Sequence, residues 1–452
     1  MTDVADAMAG SGGPIGRIGR LPLLAPLRLR DFRLVWFGES ISLLGDQFHY
    51  VALSWLVLGI TGSGLALGTV LLAASLPRGA FLLVGGALSD RISPRSLMFG
   101  SNLVRAVITT AIAVLVLGER IEIWHLVFAG AIFGTVDAVF FPAIGTIVAR
   151  LVPEERLGSA NAVLQGTQQL MGTVGPAAAG FAIAIIGVGA AFVVDAISFA
   201  VAAVAIWLVR RVGVPEAGPE TGIAEPVEQV AGPVAPTSTL GVTQASSGDT
   251  PHRGSVIAEM VEGARVVLGD PVMRALVLLS TSFNLAFTGP VVVGLPWLVQ
   301  VRFDGDAALL GLLFAAFGGG SLIGVLLAGV FARPRRLGWL VLGVAILLGI
   351  GLATIGLVEA PVVGVICLLI GIGTGYINVS IITWTQVRTE PHLLGRTMSF
   401  LMLGSVVGAP VSLAIAGAVV DVQATALFLG AGILVVATAL VGIATSLPRR
   451  MV

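Results

Sequence analysis

The chain has 452 residues, of which 56% are hydrophobic and 11% charged, with a mean hydropathy of +1.01. Soluble domains carry about 25% charged residues. With so few, a soluble chain of this size could not cover itself with polar surface, and a polytopic membrane protein remains. The formal net charge is zero, so no basic field is offered to nucleic acid.

The first 30 residues lack a long apolar core and read as a disordered cytosolic tail without a cleavable signal. A spanning helix needs about 20 apolar residues. Twelve such runs follow, at 34–60, 65–88, 97–117, 123–149, 161–187, 188–209, 275–301, 308–332, 337–357, 361–387, 397–420 and 423–447. The split between the fifth and sixth rests on Gly187-Val188-Gly189 as a turn. Residues 211–268, rich in Pro, Gly, Ser, Thr and Glu, read as a cytosolic linker with a short surface helix over Ile257–Leu268. The expected fold is therefore an all-α membrane protein with 12 transmembrane helices, in six-helix bundles at 31–210 and 269–448.

The two halves repeat one another. Trp55-Leu-Val lies 36 residues before Arg91, and Trp297-Leu-Val lies 36 residues before Arg333. Leu67-Gly68 matches Leu310-Gly311, Ala73-Ala74 matches Ala315-Ala316, and Leu157-Gly158 matches Leu394-Gly395, all in the same order. Internal repetition of this kind is a transporter signature. Every one of the 25 basic residues is arginine. With both termini cytoplasmic, only Arg120 and Arg302 fall in outside loops, and Arg78 and Arg105 remain within spans. That bias fits the positive-inside rule and an even number of spans.

Ionisable groups inside spans cost roughly 2.5–3.5 kcal/mol each on insertion scales and are functional candidates by default. Here they are Glu39, Asp46, Arg78, Arg105, Asp137 and Asp195, all in the first half. Glu39, Ser42, Asp46 and His49 follow helical spacing and share one face. Asp46, Arg78, Arg105 and Asp137 lie about 15–22 Å from the cytoplasmic ends of their runs, so they can meet near mid-bilayer. Desolvation disfavours a charged carboxylate there and a nearby arginine favours it. A group held between those pulls can take and release a proton. The alternative is a fixed ion pair that fastens helices. Asp195, near the outer end of its run, reads as structural.

The fifth run carries Asn161, Gln165, Gln168, Gly172, Gly175 and Pro176 on one face. Small residues there serve either plain helix packing or a seam that slides or seals. In the second half, Gly289-Pro290 and Gly294-Leu-Pro296 interrupt the seventh run, which carries Thr281, Asn284 and Thr288 on one face. Tyr376, Asn378 and Trp384 lie in the tenth run. These neutral groups suit either an amphipathic ligand or hydrogen bonds between helices. The single cysteine, Cys367, gives no disulfide or redox motif. No phosphate loop, metal-ligand cluster or nucleophile motif is present, so no cofactor is expected and the chain does not read as an enzyme. Transport energy has to come from an ion gradient.

Gly86-x-x-x-Asp90-Arg91, with Arg95, stands between the second and third runs. With the two sixes of spans and the long linker, it resembles the major facilitator superfamily over about Asp31–Leu447. The resemblance implies that Gly86, Asp90, Arg91 and Arg95 form a cytoplasmic gate, with Arg333, Arg335 and Arg336 a degenerate second copy. Ser93 and Pro94 stand where that family prefers glycine and a basic residue. Gly172-Thr-Val-Gly175-Pro176-Ala-Ala-Ala-Gly180 is similar to the fifth-span motif of drug/proton antiporters. Asp31-Phe32-Arg33, Leu44-Gly45-Asp46, Leu76-Pro77-Arg78 and Asp195-Ala-Ile-Ser-Phe199 resemble the branch of enterobactin exporters and macrolide-efflux proteins.

The resemblance implies a monomeric inner-membrane exporter of a small amphipathic compound, a drug or siderophore, by proton antiport with alternating access. The proton-coupling candidates are Asp46, Arg105, Asp137, Arg78 and Glu39. The substrate-cavity candidates are Gln165, Gln168, Asn284, Tyr376, Asn378 and Trp384. The expected partners are the substrate, protons and the lipid bilayer. A facilitator or importer with the same fold is the alternative, and a non-transporting receptor or scaffold a further one.

Overall fold

The computed structural model describes residues 22–210, 269, 271–331, 337–388 and 391–444. Residues 1–21 of the expected tail, the linker and Arg333, Arg335 and Arg336 lie outside them. After a 3-10 turn at Pro22–Arg28 come α1 (Arg30–Thr61), α2 (Gly64–Arg91), α3 (Pro94–Leu117), α4 (Ile123–Leu151) and α5 (Glu154–Trp207). The second half has α6 (Pro271–Gly289), α7 (Ala307–Val330), α8 (Leu337–Ile355), α9 (Ala360–Arg388) and α10 (Pro391–Ala444). Among the described residues, ten helical stretches are long and apolar enough to cross a membrane.

Two of them, α5 and α10, have 54 residues each. At 1.5 Å per residue that is about 80 Å, far more than the ~30 Å of a bilayer core. Each is broken once. In α5 the break is Gly187, at φ 83° and ψ 165°, a backbone region closed to side chains with a Cβ. In α10 it is Gln423, at φ −159° and ψ 86°. Each break divides its helix into two limbs, so ten helices supply twelve passes. The turn read at Gly187-Val188-Gly189 is therefore present.

Local chemistry explains the other ends. α1 stops at Gly62, whose φ of 62° lets its N–H reach the Leu58 carbonyl. Ser93 caps α3 by accepting from the Ser96 N–H at 3.2 Å, and Pro94 sits at the first helical position. The two residues that depart from the family pattern thus start a helix. Beyond Gly289, α6 continues through two π-helical turns, Pro290–Gly294 and Leu298–Arg302. The expected interruptions at Gly289-Pro290 and Gly294-Leu-Pro296 bend the hydrogen-bond ladder without breaking the span.

The packing repeats from half to half. In the first, α1 packs on both limbs of α5, α2 on α4, and α3 on the second limb of α5. In the second, α6 packs on the first limb of α10, α7 on α9, and α8 on the second limb of α10. The weak sequence repeat is thus a repeat of helix pairing. Between the halves, the first limb of α5 meets α7, and α2 meets the first limb of α10. Both contacts lie toward the end where α1 turns into α2, the outer end in the orientation read from the arginines. Val107, Val114, Ile185 and Leu347, all more than 60% exposed, belong to the apolar belt around the bundle.

Candidate functional site

α1 turns its polar stripe inward. Glu39, Asp46 and His49 line a cavity of about 850 Å³ together with Arg78 of α2, Arg105 of α3 and Asp137 of α4. Pockets for drug-sized ligands span about 300–1,000 Å³. All five proton-coupling candidates therefore face one space, although four helices supply them. The cavity runs from Leu53 and Leu126 toward Val148 and Asn161, at the inner ends of α4 and α5. Its second-half wall is Thr288, Val292 and Leu413, without a charge.

Arg105 is the centre of the charged group. It is only 4% exposed. Its guanidinium donates to a carboxylate oxygen of Asp137 and lies over the rings of Phe140, at 4.5 Å, and Phe199, at 5.6 Å. Arg78 stands 4.0 Å from the other oxygen of Asp137. Asp137 thus joins α2, α3 and α4. Arg105 also acts electrostatically on Glu39, Asp46 and Asp195. Among the described residues, neither Glu39 nor Asp46 forms an ion pair. Their carboxylates face the cavity, where a proton or a ligand group can reach them.

Asp195, which reads from the sequence as a structural residue, has a partner in His49 of α1. The structure joins them: His49 Nδ1 and Asp195 Oδ2 share a hydrogen bond of 2.9 Å across 146 residues. Asp195 is fully buried, while His49 reaches the cavity between Phe133 and Phe192. Ser198 donates to the Asp195 carbonyl oxygen at 2.8 Å. Gly45 makes room, since a Cβ there would fall 1.9 Å from the Ser198 hydroxyl. No local pattern could have paired these positions. The one available signal was that His49 lay on the charged face of α1.

Gln165 and Gln168 line the same cavity, as does Asn161. Asn284, Tyr376, Asn378 and Trp384 are not in its lining. Asn284 donates to the Ser280 carbonyl of its own helix at 2.9 Å, and Trp384 lies under the Arg388 guanidinium. The Tyr376 hydroxyl donates to the Phe331 carbonyl at 3.4 Å.

The antiporter-like motif lies on the seam between the halves. A Cβ at Gly180 would fall 2.3 Å from the Ala307 carbonyl oxygen, and one at Gly311 would fall 2.4 Å from that of Pro176. Gly318 meets the Gly172 carbonyl in the same way. Only glycine lets these backbones come so close. Gly175 faces the other way, onto Gln47 of α1. Of the gate residues, Gly86, Asp90 and Arg91 lie outside the residues whose side chains are described. Arg95 donates through Nε to the Ile206 carbonyl at 3.2 Å and through a terminal nitrogen to that of Trp207, both in its own half.

Known proteins agree with this architecture. Macrolide efflux protein A of Streptococcus pyogenes is 23% identical over 379 residues, 83% of this chain and 85% of the relative. The multidrug efflux pump Tap of Mycolicibacterium fortuitum is 28% identical over 386 residues, again 83% and 85%. Among solved structures, a POT family transporter in complex with 5-aminolevulinic acid matches with a TM-score of 0.69 at 12% identity, covering 93% of this chain and 96% of that one. The nucleoside transporter NupG matches with a TM-score of 0.66 at 12% identity, covering 92% and 98%. At such identities these structures speak for the fold alone. The family model of the Major Facilitator Superfamily matches residues 35–411. The chain belongs to the major facilitator superfamily of multi-pass membrane transporters.

Proposed function

We propose that this transporter exports a small amphipathic organic compound across the plasma membrane in exchange for protons, with both its termini in the cytoplasm. The observation that carries this reading is the cavity. It is of drug size and holds the carboxylates of Glu39, Asp46 and Asp137 beside Arg78 and Arg105. Substrate would enter between the halves and rest against Gln165, Gln168 and the apolar second-half wall. Tyr376, Asn378 and Trp384 would reach it only after the halves move, while Asn284 stays bonded to its own helix.

Asp46 is the proton carrier in this reading, with Arg105 and Asp137 setting its field. When the cavity faces the outside, a proton enters and neutralises the carboxylate. When it faces the cytoplasm, the proton leaves and the charge returns. A burial change at fixed geometry alters which form of an acid is favoured, and that links solvent access to proton occupancy. The two bundles rock about the cavity, giving alternating access. The stretch containing Gly86, Asp90, Arg91 and Arg95 serves as the inner gate. The efflux activity named for the Streptococcus and Mycolicibacterium relatives supports export of a macrolide-like or similarly hydrophobic drug.

Inverted membrane vesicles test the proposal. With the vesicle interior acidified, the wild-type protein should accumulate a labelled macrolide, and collapse of the pH gradient should stop it. Accumulation that ignores the gradient would overturn proton antiport. Movement down the drug's own gradient in either direction would establish a facilitator.

A further inference from the structure

At the outer end of the α2–α10 contact, one acidic side chain crosses from the second half to the first. Asp421 lies near the end of the first limb of α10, just before the break at Gln423. One of its carboxylate oxygens accepts from the Gly64 N–H at 2.6 Å. The other accepts from the Ser63 hydroxyl at 2.7 Å and from the Leu65 N–H at 3.1 Å. The indole of Trp297, also from the second half, lies against the same carboxylate.

The donors are the first turn of α2. A helix start leaves four N–H groups without intrahelical partners and carries partial positive charge. Ser63 fills part of this need itself, accepting from the Ala66 N–H at 3.3 Å. Asp421 fills the rest from the opposite half. The two helices pack closely here: a Cβ at Gly64 would fall 2.0 Å from the Val420 side chain, and one at Gly68 would fall 3.0 Å from the Gly417 Cα. The other cross-half seam differs. There Asp306 caps its own helix, accepting from the Leu309 N–H at 2.9 Å, and the contact is carried by glycine packing.

We infer that Asp421 is the clasp that holds the outer side shut, and that its release from the α2 N-terminus is a required step of outward opening. This rests on the alternating-access reading given above. A rigid rotation that parts the outer ends separates one carboxylate from three donors at once. The helix start then loses its borrowed cap, and Asp421 must be satisfied by water. The inward-facing arrangement is thereby favoured whenever substrate and proton are absent.

Spin-label distances test this in the full-length transporter with Cys367→Ala. One pair, Arg120→Cys with Glu359→Cys, reports the outer face, and a second, Glu154→Cys with Val387→Cys, reports the inner face. None of these positions touches the clasp. Asp421→Ala should raise the ratio of outer-open to outer-closed molecules about tenfold, the usual effect of losing a strong helix cap. Asp421→Asn, which keeps one acceptor, and Ser63→Ala should each give a smaller shift in the same direction. If all three variants leave both distance distributions as in the wild type, Asp421 is a helix cap only and the clasp is refuted. If the wild type holds one distribution at every pH and with every drug, the rocking of the halves is refuted and the clasp falls with it.

Discussion

The two halves share their helix pairing and differ in almost everything chemical. The first half buries Arg105 and Asp195 and lines the cavity with Glu39, Asp46, Arg78 and Asp137. The second half offers that cavity Thr288, Val292 and Leu413. A repeated scaffold can therefore be specialised by side chains alone. One bundle carries the buried charge, and the other presents a neutral wall to the cavity. Charged residues cost more in a membrane than neutral ones, so concentrating them in one bundle lets each stabilise the next.

The sharpest way to break this comparison is Asp46→Asn. Gradient-driven export should fall to the level of protein-free vesicles while membrane insertion stays normal; full export would take the coupling role away from the first half. Next comes Arg105→Leu, which leaves Asp137 with only the Arg78 contact at 4.0 Å. Breaking one side of a fully buried pair costs about 3–5 kcal/mol, and the cost here is smaller because Asp137 opens onto the cavity. Thermal unfolding of the purified protein should show the loss, and Arg105→Leu with Asp137→Leu should recover most of it without restoring transport. A stability unchanged by the single substitution would show that the pair carries no structural load.

Gly180→Leu has a smaller expected effect, an overpacking cost of about 1–3 kcal/mol. The new side chain meets the Ala307 carbonyl and pushes the halves apart at the outer seam. Gly166→Ala on the same limb, with nothing within 4 Å of its Cβ, should be silent. Equal effects of the two would remove the seam from the comparison. The smallest effect belongs to Asn284→Ala in the neutral half. It deletes a bond to its own helix, worth about 1 kcal/mol net, and should change export by no more than about fivefold. A large loss there would place a polar recognition site in the half described as a neutral wall.

The charged cavity was legible because depth can be counted along a helix. Asp46, Arg78, Arg105 and Asp137 lie at similar distances from their helix ends, and apolar surroundings left them no other direction to face. The seam was legible through the glycines at Gly172 and Gly180. The His49–Asp195 bond was not, because it depends on which face of α5 meets α1 after the chain turns at Gly187. Nor was the reach of the second half. Asn284 bonds its own helix and Trp384 lies under Arg388 of its own helix, and composition alone cannot tell an inward-facing amide from one bonded to its own backbone. Asp421 carries no local signal in the sequence, because its partners lie more than 350 residues away.

The single-residue turn at Gly187 has a mechanical consequence. With no loop between them, the two limbs of α5 form a stiff bracket. One limb rides on α7 through Gly180, and the other carries Asp195 against His49. Displacement along the seam between the halves is therefore delivered to the wall of the cavity with little slack to absorb it. A longer, softer connection inserted at Gly187 would let the seam travel while the histidine stayed still.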